Sequence, residues 1–364
     1  MGFTLVSFDS QALAAQKGLS LIELLVALAL SATLILGIFT VYMDSSQTSR
    51  LSTSLARIQE SARIGVDILA RDLRMVGFQG CADPDDVTMN VIADNPPTSD
   101  FFATTLRAWE VTGSDWAAGT EFDDLSIESN ARVGSDVIAI QRGEIANVEL
   151  TGNVKTVNAN IQVTGTDVNQ FSQNDMVLIS DCESADLFRI SSKPSSDTWA
   201  HASNVNSSNN LSQAYKEDSR IMRFSSTIYY VADTGRDDGL GEDIYALYRA
   251  RDNLLNAATP TFQIDELVEG VESLQVELGE KLPSNSFRYA TADDANLDMT
   301  RVVAARIGLL VSDAERVRDG NDQASYDLPG ELITAASGSG TVKHPEDRRL
   351  RRSFTATVTL RNRD

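Results

Sequence analysis

The chain has 364 residues, of which 42% are hydrophobic, and it carries a formal net charge of −21 with a pI near 4.5. This length suits one large domain or two ordinary ones, and the apolar content is enough for a sizeable core. Because so acidic a chain repels phosphate backbones, its composition argues against nucleic acid as a main partner.

The first predicted element is the apolar run Leu19–Met43, in which Glu23 is the only charged side chain. As a helix rising 1.5 Å per residue, the run would be about 37 Å long, which exceeds the ~30 Å hydrocarbon core of a bilayer. It is also longer than the ~7–15-residue apolar region of a cleavable secretory signal, and no small-residue cleavage site follows it. We therefore predict a membrane helix that anchors an exported, acidic domain.

Glu23 is costly in such a helix. A carboxylate at the bilayer centre costs about 2.5–3.5 kcal/mol, and less near the interface. No Lys or Arg lies within a helical turn or two after Glu23. We therefore expect the partner of this carboxylate to belong to another molecule.

After Met43 the apolar residues recur at steps of three and four, which predicts an amphipathic helix packed on a core. Gly77 and Gly80 are stop signals for this helix. The polar stretch Asp44–Ser49 has poor helix propensity, so we expect a bend or a melted turn there if the long helix is broken. The apolar stripe comprises Leu51, Leu55, Ile58, Ala62, Val66, Leu69, Leu73 and Val76.

The rest of the chain alternates apolar and polar residues and is rich in β-branched side chains, which predicts strands. The predicted strands are Ser135–Gly143, Asn160–Gly165, Asp175–Cys182, Arg220–Asp233, Asp243–Arg251, Val271–Gly279, Arg301–Asp313 and Arg351–Asn362. The turn-rich inserts between them are Asp83–Ser99, Lys193–Ser212, Lys281–Asp298 and Ala314–His344. The predicted fold class is α+β, with a long helix laid on an antiparallel sheet and long surface loops.

The chain has two cysteines, Cys81 and Cys182, and two histidines, His201 and His344. Two separate cysteines form neither a CxxC redox pair nor a zinc site. In an exported domain we expect one disulfide between them, the alternative being two buried thiols. Cys81 directly follows the predicted helix, so the disulfide would tie the helix end to the sheet.

An acidic, glycine-rich stretch joins two predicted strands and contains Asp233, Asp237 and Asp243. Oxygen-rich spacing of this kind raises the alternative of a calcium loop. The register of an EF-hand is absent, because Gly235 stands where the third ligand belongs. We favour a turn, for which Asp and Gly are ordinary residues.

No enzyme template fits the sequence: there is no histidine zinc pair, no G-x-S-x-G elbow and no phosphate-binding loop. We therefore expect no catalytic activity. The basic cluster Arg348–Phe354 could contact phosphate groups of DNA or lipid, or pair with acidic groups of the protein surface or of an adjacent subunit. Of these we favour the adjacent subunit.

The segment "KGLSLIELLVAL" resembles the class III signal of type IV prepilins. "RDLRMVGFQGC", "VVAARIGLLVSD" and "RRSFTATVTLRNR", in this order along the chain, resemble PilW-type minor pilins. The resemblance implies that prepilin peptidase cleaves between Gly18 and Leu19 and that the new N-terminus is methylated. It also implies that Glu23, the fifth mature residue, pairs with the N-terminal amine of a neighbouring subunit.

The resemblance therefore implies four segments: a leader at 1–18, a membrane or filament-core helix at 19–43, the amphipathic half of the helix at 44–80, and a β-rich domain at 81–364. It implies a minor pilin that primes type IV pilus assembly or forms its tip. The implied partners are other minor pilins, the major pilin, the prepilin peptidase/methyltransferase and inner-membrane lipid.

The implied localisation is the inner membrane with the globular domain in the periplasm, and then the pilus. No cofactor is expected unless the acidic loop binds calcium. The alternatives are a type II secretion pseudopilin of the J kind and an anchored calcium-dependent adhesin.

Overall fold

The computed structural model describes residues 18, 20–81, 87–96, 105–113, 116, 125–152, 154–256 and 261–363. Most of the predicted leader, and also Leu19, lie outside the described residues. The chain divides into two compact units, residues 1–52 and 53–364.

Helix α1 runs over Leu21–Leu73, and its first part is long and apolar enough to cross a membrane. Residues 44–49 are helical, so the prediction of a melted turn there is wrong. The hydroxyl of Thr48 donates to the carbonyl of Asp44 at 2.8 Å, one turn earlier. Such back-bonding gives a polar side chain a partner within the helix, so the stretch stays helical despite its poor propensity.

The part of α1 after residue 52 packs one face on the β-rich domain, as the apolar stripe predicts. Ile58, Ala62, Leu69 and Leu73 are buried in the main core, whereas Leu51 is exposed. Gly65 lies so close to the sheet that a Cβ atom there would be 3.0 Å from a methyl group of Leu309.

Beyond Leu73 the chain tightens into turns and leaves the helix at Gly77. This residue has a φ of 70°, which glycine adopts without a steric penalty. Its N–H donates to the carbonyl of Gln141 at 3.0 Å, so the end of the helix is joined to a strand of the large sheet. The glycine stop signal at Gly77 therefore marks a real change of direction.

The remaining elements are a short helix, α2 (Leu125–Glu128), single 3-10 turns at Val168–Gln170 and Met299–Arg301, and strands. The strands are β1 (Asn90–Val91), β2 (Leu106–Glu110), β3 (Asp136–Leu150), β4 (Ile161–Thr164), β5 (Met176–Ser180), β6 (Ala185–Arg189), β7 (Ser192–Ser195), β8 (Thr198–Ala200), β9 (Arg220–Asp237), β10 (Asp243–Asp252), β11 (Phe262–Glu269), β12 (Val271–Lys281), β13 (Phe287–Thr291), β14 (Val302–Arg316), β15 (Tyr326–Leu328), β16 (Glu331–Ala335), β17 (Lys343–His344) and β18 (Arg349–Thr359).

Three sheets are formed by the described residues. The large sheet has the order β1-β6-β5-β9-β3-β4-β8-β7, with β2 on β3 and the pair β10–β11 on β9. A four-stranded antiparallel sheet has the order β13-β12-β14-β18, and a small sheet has the order β15-β16-β17. The α+β prediction is confirmed, although β1–β6 and β16–β17 pair in parallel.

Every predicted strand is present, but the inserts predicted to be loops are not all loops. The insert after Asp83 contains β1, the insert after Lys193 contains most of β7 and all of β8, the insert after Lys281 contains β13, and the insert after Ala314 contains β15 to β17. These strands are short, with two to five residues each, so they give little periodicity to detect.

Two side chains at the start of β3 join the large sheet to the four-stranded sheet. The hydroxyl of Ser135 donates to the carbonyl of Leu274 at 3.2 Å and accepts from its N–H at 3.0 Å. The carboxyl of Asp136 accepts from the N–H of Val276 at 2.7 Å. Burial, together with the nearby carboxylates led by Glu110, raises the pKa of Asp136 to about 8.

Candidate functional site

Glu23 lies in the first turn of α1, where it forms a capping box with Ser20. The N–H of Ser20 donates to the carboxylate of Glu23 at 3.0 Å, and the N–H of Glu23 donates to the hydroxyl of Ser20 at 3.2 Å. Each side chain thus serves a backbone N–H that has no partner within the helix. The expectation that Glu23 lacks any partner in its own chain is therefore wrong.

The spacing S-x-x-E is a known signature of a helix start, so the sequence did contain the signal for this box. The partner of the carboxylate is the backbone N–H of Ser20, the second residue after the predicted cleavage site, and not a cation. The capping box leaves the net charge of Glu23 unbalanced. A charged partner from another molecule consequently stays a prediction.

The surroundings of the predicted processing site are open within the described residues. Gly18 is exposed, and a Cβ atom built there would meet no atom within 4 Å. Large apolar side chains are exposed along α1 from Leu21 to Met43. A surface of this kind needs lipid or protein around it.

The end of α1 is held by a buried charged contact with the large sheet. Arg142 donates to the carboxylate of Asp72 at 3.1 Å, and the hydroxyl of Tyr229 donates to the same carboxylate. Burial, with Asp72 beside it, raises the pKa of Tyr229. The tyrosine therefore stays neutral and acts as a hydrogen-bond donor to the helix.

Cys81 and Cys182 form the predicted disulfide. Their Cα atoms are 4.9 Å apart, and 101 positions separate them in the sequence. Cys182 lies in the turn between β5 and β6, so the bridge ties the segment after α1 to the large sheet. Gly80, with a φ of 88°, makes the close approach possible, because a Cβ atom there would be 2.5 Å from the hydroxyl of Ser180.

The acidic stretch forms the hairpin turn between β9 and β10. The carboxylates of Asp233 and Asp237 accept from N–H groups of Gly235 and Gly239, as turn-forming aspartates do. Asp243 lies opposite Asp237 in the strand pairing. Among the described residues, no group of three or more His, Cys, Asp or Glu side chains is arranged to hold a metal ion. Calcium binding by this turn stays an untested alternative.

The basic cluster at the start of β18 divides in two. Arg349 and Arg351 pair within the chain, which corrects the preference for an adjacent subunit at these two positions, whereas Arg348 and Arg352 are exposed. Arg351 is fully buried and binds Asp347 through two hydrogen bonds of 2.7 and 2.9 Å. Its Nε donates to Glu272 at 2.8 Å. Arg349 is also buried and donates to the carbonyls of Glu242 and Asp243 in the β9–β10 hairpin. Because the two arginines are two positions apart in the strand, both side chains point into the protein, where they contact carboxylates of their own chain.

This network changes the pKa of Glu272. Burial alone would raise the pKa of Glu272, but the guanidinium groups of Arg351 and Arg132 outweigh it and hold that pKa at about 2. Glu272 is therefore ionised over the whole physiological pH range. Arginines two positions apart in a predicted strand are a partial signal for this network, but they do not show which acids they meet.

Arg189 in β6 is a second buried cation, and its partners are backbone carbonyls. Its guanidinium donates to the carbonyls of Asp94, Asn95, Asn174, Leu254 and Leu255. Three of these residues have positive φ, namely Asn95, Asn174 and Leu254. One guanidinium thus holds together the three turns that contain these positive-φ residues. Burial lowers the pKa of Arg189 to about 10. No pattern in the sequence indicates this arrangement, because its partners are main-chain atoms.

Comparison with known proteins finds two family models that match the chain, one near its N-terminus and one in its C-terminal half. Residues 13–39 match the family model of the prokaryotic N-terminal methylation motif. Residues 228–362, which extend from within β9 to beyond β18, match the family model of the type IV pilus-assembly protein W, PilW. No curated protein and no solved structure matches the chain.

The two matches lie on one chain in the expected order, with the methylation motif covering the start of α1 and its capped Glu23. The described residues form one long helix and mainly antiparallel sheets. The two family matches therefore support a PilW-type type IV pilin.

Proposed function

We propose that the chain is a minor pilin that takes part in type IV pilus assembly, in a priming or tip complex with other minor pilins. The observation that carries the proposal is the methylation motif at the start of α1, with Glu23 exposed in its first turn. The PilW match supports a pilus rather than the alternative, a type II secretion pseudopilus. The role is structural, with no catalytic step assigned to any residue.

The first step of this function is processing. Prepilin peptidase cleaves between Gly18 and Leu19, and the new amine of Leu19 is methylated. The exposure of Gly18 supports this step, because a protease needs an accessible chain. The segments are then a leader at 1–18, a membrane helix at 19–43, an amphipathic half-helix at 44–80, and a periplasmic domain at 81–364.

The second step is insertion into the filament. The exposed apolar side chains between Leu21 and Met43 leave lipid and pack on the helices of the major pilin and other minor pilins. In that apolar surrounding the carboxylate of Glu23 attracts the N-terminal amine of a neighbouring subunit. A carboxylate accepts several hydrogen bonds, so the capping box with Ser20 and the new ion pair are compatible.

The test of processing is mass spectrometry of the mature N-terminus, which should begin with methylated Leu19. Gly18→Ala should leave the leader attached and abolish piliation. A mature chain that begins elsewhere would exclude the proposed cleavage site.

The test of Glu23 uses two variants that separate its two roles. Glu23→Gln keeps an acceptor for the N–H of Ser20 but removes the charge, whereas Glu23→Ala removes both. We expect both variants to lose piliation. Glu60→Ala, which removes an exposed carboxylate of the same helix, is the control and should build normal pili. Normal filaments from the Glu23→Gln strain would mean that the charge has no part in assembly.

The alternative of an anchored calcium-dependent adhesin makes a different prediction. Calcium should then raise the melting temperature of the domain, and Asp237→Asn should remove the rise. The pilin proposal expects no calcium-dependent shift and copurification with other pilins.

A further inference from the structure

Strand β18 is an open edge in the described part of the chain. It has 11 residues and pairs with β14 alone, at the end of the four-stranded sheet. The first three residues of β18 are buried, and the part beyond them, residues 352–359, equals in length the longest other strand at a sheet end, β11 with eight residues. Proteins normally keep edge strands short or cover them, because the bare N–H and C=O groups bind another strand. A long open edge therefore indicates a partner.

The side chains of β18 are suited to such a partner. Ser353, Thr355 and Thr357 are exposed on one face, while Phe354 and Ala356 pack against the main core on the other. The strand is thus fixed in an extended form by its own core. Its β-branched exposed face favours addition of a further strand.

The exposed charges near this edge indicate which kind of partner would bind it. Arg352 and Arg361 stand near the two ends of the edge, both exposed, and neither has a hydrogen bond or ion pair with the side chains that the structure describes. The chain has 52 Asp and Glu residues against 31 Lys and Arg, so an arginine without a carboxylate is unexpected. The nearby Arg349 and Arg351, by contrast, are buried among carboxylates.

The same charges disfavour a second copy of this chain. Antiparallel pairing of residues 352–361 along their length would set Arg352 of one copy opposite Arg361 of the other. Like charges directly opposite each other destabilise a strand pair. An acidic segment would instead gain two ion pairs about 30 Å apart, at 3.3 Å per residue.

We propose that the open edge of β18 binds an extended acidic segment of a different pilin subunit by strand addition. The segment has about ten residues, with a carboxylate toward each end, and it continues the four-stranded sheet into the neighbouring subunit. This inference rests on the proposed function, because the partner is another subunit of the pilus. It adds a specific contact in the globular domain to those made by the helices.

The test is photo-crosslinking of the full-length protein in its own cells. A benzophenone amino acid replaces Thr355 or Thr357 on the edge, or Thr164, an exposed control position in β4. We expect the two edge positions to crosslink to an Asp- and Glu-rich segment of a second protein that carries the methylation motif, as read by tandem mass spectrometry. The control position should not crosslink to that segment.

Charge reversal tests the selection rule. Arg352→Glu combined with Arg361→Glu should lower the crosslink yield about fivefold or more, since both ion pairs are lost and like charges meet instead. Arg220→Glu, which reverses an exposed arginine at the start of β9, should leave the yield unchanged. Retention of the Cys81–Cys182 bridge in each variant verifies that it is folded.

A crosslinker at Leu30, in the apolar part of α1, separates this inference from the proposed function. Capture of pilins at Leu30 but not at Thr355 or Thr357 would overturn the strand addition and leave the pilin role intact. Loss at all three positions would overturn both. Edge crosslinks to a second copy, to lipid, to glycan or to a basic segment, or a yield unchanged by charge reversal, would also overturn the proposed contact.

Discussion

Ser20 and Glu23 exchange two hydrogen bonds at the start of α1, each side chain accepting from the backbone N–H of the other. The carboxylate therefore has a structural use within its own chain before any neighbour is present. Unpaired N–H groups at a helix start are costly in lipid, as is the acid itself. The two hydrogen bonds between Ser20 and Glu23 lessen both costs, because the N–H groups and the carboxylate then have partners.

Ser20→Ala should loosen the start of α1. Loss of an N-cap hydroxyl costs about 1 kcal/mol, which corresponds to about fivefold faster hydrogen exchange of the capped amide. The measurement is amide exchange at Glu23 in the full-length protein in detergent micelles. Ser20→Thr keeps the hydroxyl and should exchange at nearly the wild-type rate. Equal exchange in Ser20→Ala and wild type would show that the cap is not formed in a lipid-like environment.

Reduction of the Cys81–Cys182 bridge should lower the free energy of unfolding by about 4–5 kcal/mol, because the bridge closes a loop of roughly 100 residues in the unfolded chain. Urea titration of oxidised and reduced protein measures the difference. The double variant Cys81→Ser/Cys182→Ser should match the reduced wild type. A shift below about 1 kcal/mol would contradict this entropic account.

Glu272 should make the domain sensitive to acid. Its folded pKa of about 2 lies below the ordinary value of 4.5, so its stabilising effect is full above pH 4.5 and is lost as the pH falls toward 2. In Glu272→Gln the loss of stability over this window should be smaller. The measurement is the urea midpoint at several pH values from 2 to 6. A wild-type midpoint with the same pH dependence as that of the variant would contradict the prediction.

Arg351→Met should be more harmful than Glu272→Gln at neutral pH. It leaves Asp347 and Glu272 buried without their shared cation, and removing one member of a buried pair costs about 3–5 kcal/mol. Thermal unfolding at pH 7 measures the effect. Arg352→Met, which changes the exposed neighbour in the same strand, is the matched control and should be nearly neutral.

Asp136 should make the domain less stable as the pH rises, whereas Glu272 should make it less stable as the pH falls. Its folded pKa of about 8 lies above the ordinary 3.8, so its contribution is most favourable below pH 3.8 and is lost as the pH rises to 8. Asp136→Asn keeps an acceptor for the N–H of Val276 and removes this penalty. The variant should gain in melting temperature relative to wild type as the pH is raised from 4 to 8, and the gain should then level off.

Arg189→Met should disorganise the three turns that its guanidinium gathers. Five carbonyls lose a charged donor, and each unsatisfied buried group costs about 1–3 kcal/mol. We expect increased proteolysis near Asn95, Asn174 and Leu254 and a lower melting temperature. Arg189→Lys should rescue little, because an ammonium has three donors and cannot reach all of the carbonyls. Full rescue by lysine would mean that charge alone holds the turns.

The sequence predicted the features that depend on residues close to one another in the chain. The membrane-length helix, its amphipathic continuation and most of the long strands follow from periodicity, although β3 extends seven residues beyond its predicted end and β11 was missed. The pairing of Cys81 with Cys182 followed from there being only two cysteines. Glu23 was found because one charge in an apolar run is conspicuous.

What depends on contacts between distant segments was not predictable. Arg351 meets Glu272 only because β12, β14 and β18 lie side by side in that order, and strand order is not written in any one strand. Arg189 binds carbonyls, which every residue has, so its partners give no signal in the sequence. The short strands in the inserts exist because longer neighbours offer them an edge, which is a property of the assembled sheet.

The bridge between Cys81 and Cys182 also has a mechanical consequence. Tension along α1 reaches Cys81 and then divides between the main chain and the turn that joins β5 to β6. The helix is held first by its buried face and by the Gly77–Gln141 hydrogen bond, and the bridge adds an attachment that cannot open by peeling. With the bridge closed, a pull on α1 that breaks those contacts would load several strands at once, and the domain should resist forces that would strip the reduced protein.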